Sequence, residues 1–404
     1  VYNDYIEVCN QDVFAFLSSP VFDAMIFELW TPLLKGNQLI IPKNFKNLIS
    51  NIKDFSNFIT FNSVSILWLT KTLFESLYQL DNTIFKDLNY LITGGEALDK
   101  VTVTELVSRN LSPKHFLNGY GPTESTTFTC TYNLDHPIRS TNVPIGVPIN
   151  NRKTYILDPN GHPVPIGVIG ELYIAGAGLA RGYLNKDELT NERFVSNPFA
   201  TASDRSQGYT RMYKTGDLVR WLVDGNLEYI GRNDNQVKIR GYRIELGEIE
   251  YAITQIKGIK QACVLARERN HDNGSSNYLV GYYILDNSDT ELTEDIIFDK
   301  LSLVIPEYMI PSSLVLMDSF PLTVNGKLDK KALPDPEFSA SENYTPPTTL
   351  TEKTIAKIWQ DILGVESVGI KDNFFRIGGD SILAIQVSSR IRQAGFSCQV
   401  KDIF

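Results

Sequence analysis

Short apolar runs alternate with longer amphipathic stretches over the first 230 or so residues of the chain. Residues 63–69 and 88–93 have the apolar character of buried strands, and residues 70–80 between them have helical spacing. Residues 151–184 contain more strand and turn signals than the segment before them. This alternation predicts a mixed α/β domain.

The pattern changes after Gly231. Val237, Ile239 and Tyr242 occupy strand-like positions, Gly241 interrupts them, and residues 245–250 have the character of a helix start. Two further alternating strands and one amphipathic helix follow, which together predict a smaller α+β unit. Their positions are residues 261–268, 277–285 and 293–305.

A segment rich in proline and small polar residues, 335–347, is typical of a linker. From Thr349 onward the apolar residues are spaced as in a small helical bundle. We therefore predict a large subdomain at 1–230, a small subdomain at 231–334, this linker, and an incomplete bundle at 348–404.

Composition narrows the function without identifying it. With 43% hydrophobic residues among 404, the chain is globular rather than disordered. Its net charge of −9 makes nucleic acid and anionic membranes poor partners. The four cysteines form no C-x-x-C pair, the four histidines have no ligand spacing, and no apolar run reaches membrane-spanning length. These features predict a cytoplasmic protein without a zinc site or a disulfide framework.

Six motifs follow one another in a fixed order, and a seventh lies in the predicted bundle. They are NGYGPTES at 118–125, GELYIAGAGLARGYL at 170–184, YKTGDL at 213–218, GRNDNQVKIRGYRIELGEIE at 231–250, IPEYMIP at 305–311, NGKLD at 325–329 and IGGDSILAIQ at 377–386. The first six resemble the adenylation domain of nonribosomal peptide synthetases, within the adenylate-forming enzyme superfamily. The resemblance covers residues 1–334, and a second one, to peptidyl carrier domains, begins near Thr348.

The resemblance implies a fold and a reaction. The fold is the large adenylation subdomain without its N-terminal part, the small subdomain, and part of a four-helix carrier bundle. The reaction joins an amino acid to ATP as aminoacyl-AMP and then transfers it to the carrier as a thioester. Neighbouring condensation domains and a phosphopantetheinyl transferase are the implied partners, and Asp380 before the carrier serine resembles carriers that feed epimerisation domains.

The nucleotide site is expected to use the first motif. The ring of Tyr120 can stack on a purine, Thr123 offers a hydroxyl to a phosphate, and Glu124 offers a carboxylate to Mg²⁺. The resemblance implies these roles and adds Asp217 for the ribose hydroxyls, although an isolated Asp in such a turn is as readily a cap. The implied ATP-binding residues are Gly95, Glu96, Tyr120, Gly121, Thr123, Asp217 and Arg232.

Three further residues take roles from the resemblance. Lys327 contacts the substrate carboxylate and the α-phosphate, Asp234 is the hinge between the two subdomains, and Ser381 carries 4′-phosphopantetheine. Most lysines are solvated and a serine before a helix is ordinarily an N-cap, so both roles depend on the motifs.

The amino-acid pocket is implied position by position. Asp23 matches the carboxylate that pairs with the α-ammonium, and Met25 stands where the family often has serine. The pocket residues are Asp23, Ala24, Phe27, Trp68, Ile92, Gly94, Gly119, Thr127, Phe128 and Lys327. Apart from Thr127 the side-chain wall is apolar and resembles the valine type, although Phe and Trp are ordinarily core residues. We expect L-valine, with isoleucine and leucine as slower substrates.

One departure keeps alternatives open. The family's Ser/Thr/Gly-rich phosphate loop, which ends in lysine, has no counterpart in residues 1–404. We therefore expect a fragment of a longer chain, lacking full catalytic competence by itself. A stand-alone acyl- or aryl-CoA ligase shares most nucleotide motifs but needs neither Asp23 nor a carrier serine, and a silent scaffold is the third alternative. The glycines of GAGLARG, at 176, 178 and 182, do not match the G-x-G-x-x-G motif of dinucleotide-binding loops, because the third glycine comes one position late.

Overall fold

The computed structural model describes residues 5–49, 51–271, 274–286, 292–323, 328–336, 344–375, 377–379 and 381–403. Contacts divide the chain into two units, with the division between Asp234 and Asn235. A short piece, Ile49–Asn51, is assigned with the second unit.

A seven-stranded mixed sheet forms the centre of the first half of unit 1, with strand order β2-β1-β3-β4-β5-β6-β7. The strands are β1 (Val13–Ala15), β2 (Gln38–Ile40), β3 (Ile66–Thr70), β4 (Tyr90–Gly94), β5 (His115–Tyr120), β6 (Cys130–Asn133) and β7 (Val147–Pro148). Strands β1 to β5 pair in parallel, and β6 and β7 are antiparallel. Strands β3 and β4 are almost entirely buried, which explains why their sequences are apolar without alternation.

Helices connect the parallel strands. They are α1 (Ala24–Lys35), α2 (Phe45–Ile49), α3 (Ile52–Phe61), α4 (Lys71–Leu80) and α5 (Lys100–Ser108). Helix α1 ends at Gly36, whose φ of 76° gives a left-handed C-cap. Asp99 caps α5 by accepting hydrogen bonds from the backbone N–H groups of Val101 and Thr102. The predicted strand–helix alternation of this region is confirmed.

An antiparallel sheet of five strands forms the rest of unit 1. Its strands are β8 (Arg152–Leu157), β9 (Gly170–Gly176), β10 (Phe194–Ser196), β11 (Arg211–Trp221) and β12 (Leu227–Arg232), and the helices α6 (Asp187–Arg193) and α7 (Ala202–Ser206) lie between them in sequence. Strand β11 is central, because it pairs with β9, β10 and β12.

Unit 2 begins with a hairpin and continues with a three-stranded sheet. Its elements are β13 (Gln236–Ile239), β14 (Tyr242–Glu245), α8 (Leu246–Thr254), β15 (Ile259–His271), β16 (Gly274–Leu285), α9 (Glu294–Ser302), β17 (Ser313–Leu316), α10 (Leu350–Leu363) and α11 (Ser381–Gln393). Arg240 and Gly241 both have positive φ, as the tight turn between β13 and β14 requires. This is the interruption predicted at Gly241.

The carrier-like segment has its own core, formed by α10, α11 and the residues between them. Thr349 and Glu352 form a capping box at the start of α10, and the hydrogen bonds from Thr348 and Thr349 lower the pKa of Glu352 to about 2. No helix in the described ranges combines the length and apolarity needed to cross a bilayer.

Candidate active site

Three strands of unit 1 bring Tyr120, Asp217 and Arg232 together. Tyr120 is the last residue of β5, and Asp217 on β11 is paired in register with Arg232 on β12. The Tyr120 hydroxyl donates to Oδ2 of Asp217 at 2.5 Å, and Nη1 of Arg232 donates to Oδ1 at 2.6 Å. Only 3% of Asp217 is exposed, so its charge is balanced locally. Because each carboxylate oxygen has two acceptor positions, the group retains capacity for ribose hydroxyls.

The environment also affects Tyr120. Burial, together with the negative charge of Asp217, raises the pKa of the Tyr120 hydroxyl well above its usual value of 10. The phenol therefore remains a hydrogen-bond donor at any physiological pH and holds one oxygen of Asp217 in a fixed position.

Arg232 links Asp217 to the predicted hinge residue. Its Nε and Nη2 atoms donate to the two carboxylate oxygens of Asp234, each at 2.7 Å, and Nη2 also donates to the carbonyl oxygen of Thr215 at 3.0 Å. This is the bidentate geometry that arginine forms with carboxylates. One guanidinium thus connects the predicted ribose-binding residue with the last residue of unit 1.

Glu124 lies in a single 3₁₀ turn, Thr123–Ser125, directly after β5. The hydroxyls of Tyr183 and Tyr213 donate to its Oε1 at 2.6 and 2.8 Å. Burial raises the pKa of Tyr183, and the bond to Glu124 adds to the effect. Its neighbour Thr123 is exposed, as a phosphate contact requires.

A carboxylate oriented in this way fits Mg²⁺ chemically, because it is a hard oxygen donor with a fixed direction. Within the described ranges, no group of three or more His, Cys, Asp or Glu side chains could hold a metal by protein ligands alone.

The two residues after this turn have an unusual backbone. Thr126 and Thr127 have φ values of 57° and 62°, although the left-handed region is strained for β-branched residues by roughly 1–3 kcal/mol each. Their hydroxyls donate to the carbonyl oxygens of Gly178 and Asp23, at 2.8 and 2.7 Å. These bonds offset part of the strain and connect the turn to two other segments.

Five of the predicted pocket residues form one cluster. Ala24, Phe27, Trp68, Ile92 and Phe128 belong to a single buried group within unit 1. The Phe128 ring centroid lies 5.1 Å from that of Trp68 and 5.6 Å from that of Phe27. The fold thus brings together, from α1, β3, β4 and the segment after β5, residues that are far apart in sequence.

Two glycines permit this packing. A Cβ atom on Gly119 would lie 2.6 Å from Cε1 of Phe128, and one on Gly94 would lie 2.0 Å from the carbonyl oxygen of Gly119. Any larger residue at either position would displace the aromatic side chains or the neighbouring strand. Both glycines therefore allow the close approach of the ring and strand that surround the predicted pocket.

Asp23 lies half-buried just before α1, at the N-cap position. Among the described residues its carboxylate accepts no capping hydrogen bond from the first turn of the helix. Its carbonyl oxygen is bonded by the Thr127 hydroxyl and by the Ile26 backbone N–H. The side chain is thus placed by its backbone rather than by a cap.

The remaining predicted residues lie in different environments. Gly95 follows β4 with a φ of 85°, and Glu96 accepts a hydrogen bond from the Thr72 hydroxyl at 3.1 Å. Lys327 and Asp380 lie outside the described residues. Helix α11 begins at Ser381, whose side chain is likewise not described.

Three residues at this site were missed from the sequence: Glu28, Tyr183 and Tyr213. Glu28 stands out in hindsight because it is a charged residue inside an apolar helix, five positions after Asp23. Tyr183 and Tyr213 lie in two of the motifs, but nothing in their local sequence indicates that both contact Glu124.

Family models match three separate parts of the chain. They describe an AMP-binding enzyme at residues 1–184, an AMP-binding enzyme C-terminal domain at 248–327, and a phosphopantetheine attachment site at 353–404.

Curated proteins and solved structures agree with these models. A linear gramicidin synthase protein of Brevibacillus parabrevis is 44% identical over 99% of the chain, and a plipastatin synthase protein of Bacillus subtilis is 42% identical over 100%. The structure of holo-PA1221, an NRPS protein containing adenylation and PCP domains, has a TM-score of 0.80 at 30% identity. That match covers 99% of this chain and 64% of PA1221.

The chain therefore contains an adenylation domain of the nonribosomal peptide synthetase type, followed by a carrier domain. It spans 5% of the length of the gramicidin synthase protein and 15% of the plipastatin synthase protein. The expected fold class, with a large α/β part, a smaller α+β part and a carrier region, is confirmed.

Proposed function

We propose that the chain activates an amino acid with ATP as aminoacyl-AMP and loads it as a thioester on the phosphopantetheine arm of its own carrier domain. The preferred amino acid is L-valine. The observation that carries this proposal is the apolar cluster of Ala24, Phe27, Trp68, Ile92 and Phe128, with the half-buried Asp23 beside it.

Asp23 supplies the negative charge for the α-ammonium group. Its position before the first turn of α1 leaves the carboxylate available for a ligand, and its backbone is fixed by Thr127. A stand-alone acyl-CoA ligase would have no use for a carboxylate at this place, because its substrates carry no ammonium group.

The side-chain wall favours a short aliphatic group. Thr127 is its one polar residue, and the hydroxyl proton of Thr127 is already donated to the Asp23 carbonyl oxygen. Aromatic side chains form part of this wall, so a larger aromatic substrate would meet Trp68 and Phe128. Isoleucine and leucine differ from valine by one methylene, which a pocket discriminates by only about 1–3 kcal/mol.

In the first half-reaction, a carboxylate oxygen of the amino acid attacks the α-phosphorus of ATP and pyrophosphate leaves. Asp217, held by Tyr120 and Arg232, orients the ribose, and Thr123 contacts a phosphate. Lys327 provides the positive charge that stabilises the developing charge between the carboxylate and the phosphate. When bound, Mg²⁺ would be held by Glu124 and would neutralise phosphate charge.

In the second half-reaction, the thiol of the phosphopantetheine arm on Ser381 attacks the aminoacyl carbonyl and AMP leaves. Rotation of the small subdomain about Asp234 would remove Lys327 from the site and give the arm access. A phosphopantetheinyl transferase must attach the arm beforehand. A neighbouring condensation or epimerisation domain would then act on the loaded amino acid. We place these reactions in the cytoplasm.

Amino-acid-dependent pyrophosphate exchange across the twenty amino acids tests the proposal. The protein should be a synthetase module that includes the whole adenylation domain. We expect valine to give the fastest exchange, isoleucine and leucine to follow, and Asp23→Ala to lose activity with all three. Preference for an aromatic or charged amino acid would contradict the pocket, and full activity of Asp23→Ala would contradict the ammonium role.

A further inference from the structure

Glu28 is a buried acid on the same helix as the predicted pocket. It is only 1% exposed, and it follows Phe27, a pocket residue, on α1. Its Oε2 atom accepts hydrogen bonds from the backbone N–H groups of Ser18 at 2.8 Å and Leu17 at 3.2 Å. Both donors lie in the segment that leads from β1 to α1, residues 16–23, which we call the β1–α1 loop.

The arrangement is costly for the fold. The other carboxylate oxygen, Oε1, is buried without a hydrogen-bond partner among the described residues. Burial raises the pKa of Glu28 to about 7, even though the bonds from Ser18 and Leu17 lower it. An apolar residue would avoid the cost of the buried charge but would leave the N–H groups of Ser18 and Leu17 without this acceptor, so the acid is retained for the contact with the backbone.

The β1–α1 loop ends at Asp23, and its path is short. After the two residues that Glu28 holds, the Phe22 N–H closes a turn on the Ser19 carbonyl oxygen at 3.0 Å. Asp23 follows at once, with its carbonyl oxygen bonded by Thr127. Two contacts thus fix the backbone that presents the Asp23 carboxylate. Glu28 holds the start of the β1–α1 loop at Leu17 and Ser18, and Thr127 holds its end at Asp23.

We propose that Glu28 is a positioning residue, which holds the β1–α1 loop so that the Asp23 carboxylate meets the α-ammonium group of the amino acid. The inference rests on the proposed function, because it gives Asp23 its ligand. The role is independent of the substrate side chain, since every α-amino acid carries the same ammonium group. Glu28 itself touches no substrate.

Loss of the acceptor would leave the N–H groups of Ser18 and Leu17 without a partner, and the loop would shift to satisfy them. Displacement of a binding group by about 1 Å can cost on the order of a hundredfold in rate. Because Asp23 would bind the ammonium group before the reaction as well as during it, the loss should appear as a higher Michaelis constant for the amino acid. The predicted nucleotide-binding residues Tyr120, Asp217 and Arg232 lie on β5, β11 and β12, outside the β1–α1 loop. The Michaelis constant for ATP should therefore not change.

The test is pyrophosphate exchange by a module with the whole adenylation domain, titrated separately with valine and with ATP. In Glu28→Leu we expect the KM for valine to rise roughly ten- to a hundredfold, with the KM for ATP within twofold of the wild type. Glu28→Gln retains an oxygen acceptor of the same reach and should keep the wild-type KM. Glu28→Asp keeps the charge but is too short to reach both N–H groups, so it should behave like Glu28→Leu.

Asp12→Asn is the matched control. Asp12 is 5% exposed, lies beside the other end of β1, and accepts a backbone hydrogen bond from Cys9 at 2.8 Å. A purely structural role for Glu28 predicts lower melting temperatures in Glu28→Leu and in Asp12→Asn. It predicts no change in the KM for valine or in the KM for ATP. If Glu28→Leu does not fold, the comparison of Glu28→Asp with Glu28→Gln decides.

The outcomes separate the two proposals. Unchanged valine KM in Glu28→Leu and Glu28→Asp, or an equal rise in the KM for ATP, would overturn the positioning role. A wild-type module without amino-acid-dependent exchange would instead overturn the proposed function.

Discussion

The hydroxyl of Tyr120 donates a 2.5 Å hydrogen bond to Oδ2 of Asp217, across 97 positions of sequence. It joins the seven-stranded sheet of unit 1 to its antiparallel sheet, because Tyr120 ends β5 and Asp217 lies in β11. The residue expected to stack on the purine therefore also orients the residue expected to bind the ribose.

Tyr120→Phe keeps the ring and removes this donor. We expect the KM for ATP to rise about three- to tenfold, the equivalent of roughly 1 kcal/mol for one hydrogen bond. The KM for the amino acid should stay constant in the same exchange assay. Tyr132→Phe, on the neighbouring strand β6, is the control and should leave both constants unchanged. No difference between the two variants would show that the bond does not orient Asp217 for ATP.

Lys327→Ala should slow adenylation far more than thioester formation from preformed adenylate. In the proposed mechanism the ammonium serves only the first transition state, and loss of one such contact costs about 10²–10³ in rate. Single-turnover measurements of each half-reaction check this. Equal losses in the two half-reactions would remove the assigned role, and Lys330→Ala, a nearby exposed lysine, serves as the control.

Ser381→Ala should abolish attachment of the phosphopantetheine arm and thioester loading while pyrophosphate exchange continues. Intact-protein mass spectrometry after incubation with a phosphopantetheinyl transferase and CoA measures attachment. Ser397→Ala, which alters an exposed serine of the same domain, should be modified normally. An arm found on any serine other than Ser381 would contradict the assignment.

Gly119→Ala should close the pocket. The added methyl group would lie 2.6 Å from Phe128 and 3.1 Å from Ile92, so the ring must shift within the cluster that we propose as the valine pocket. We expect valine-dependent exchange to fall at least tenfold, with glycine or alanine less affected. Gly247→Ala, where no atom lies within 4 Å of the new methyl group, should retain activity. Equal losses for valine, alanine and glycine would indicate general damage instead.

Stability should depend on pH through Glu28. Its folded-state pKa is raised from 4.5 to about 7, so between these values the folded state binds more protons than the unfolded state. The free energy of unfolding should then fall as pH rises from about 4.5 to 7, by at most about 1.4 kcal/mol per pH unit, and level off above. Glu28→Gln cannot ionise and should gain stability relative to the wild type over that window. Denaturant unfolding of both chains from pH 5 to 8 measures the difference, and parallel curves would contradict the raised pKa.

The resemblance carried by the order of motifs was enough to predict the fold class, and it also implied the residues that cluster around Trp68 and Phe128. Other features depend on tertiary contacts that no local pattern encodes. The donors to Glu28 lie 10 and 11 positions upstream, and Tyr183 and Tyr213 reach Glu124 from two separate segments. A charged residue in a helix is ordinarily interpreted as a surface position, so the apolar neighbours of Glu28 were not enough to predict its burial.

The backbone at Thr126 and Thr127 shows the same limit of local propensity. β-Branched residues favour extended conformations, yet both threonines have positive φ. The hydrogen bonds from their hydroxyls to the carbonyl oxygens of Gly178 and Asp23 stabilise this backbone, and such tertiary contacts are not encoded in the local sequence. The assignments of Lys327, Ser381 and Asp234 remain predictions, as do the domain boundaries.

The bond from Thr127 to the Asp23 carbonyl oxygen has a consequence for redesigning the substrate preference of this module. Exchange of Thr127 for another residue, as in transplanting a pocket from a relative, would alter selectivity and also loosen the anchor for the ammonium group shared by all amino acids. Effects at positions 23 and 127 should therefore not be additive. A library that varies the pocket would need to retain a hydroxyl at 127, or vary the β1–α1 loop together with it.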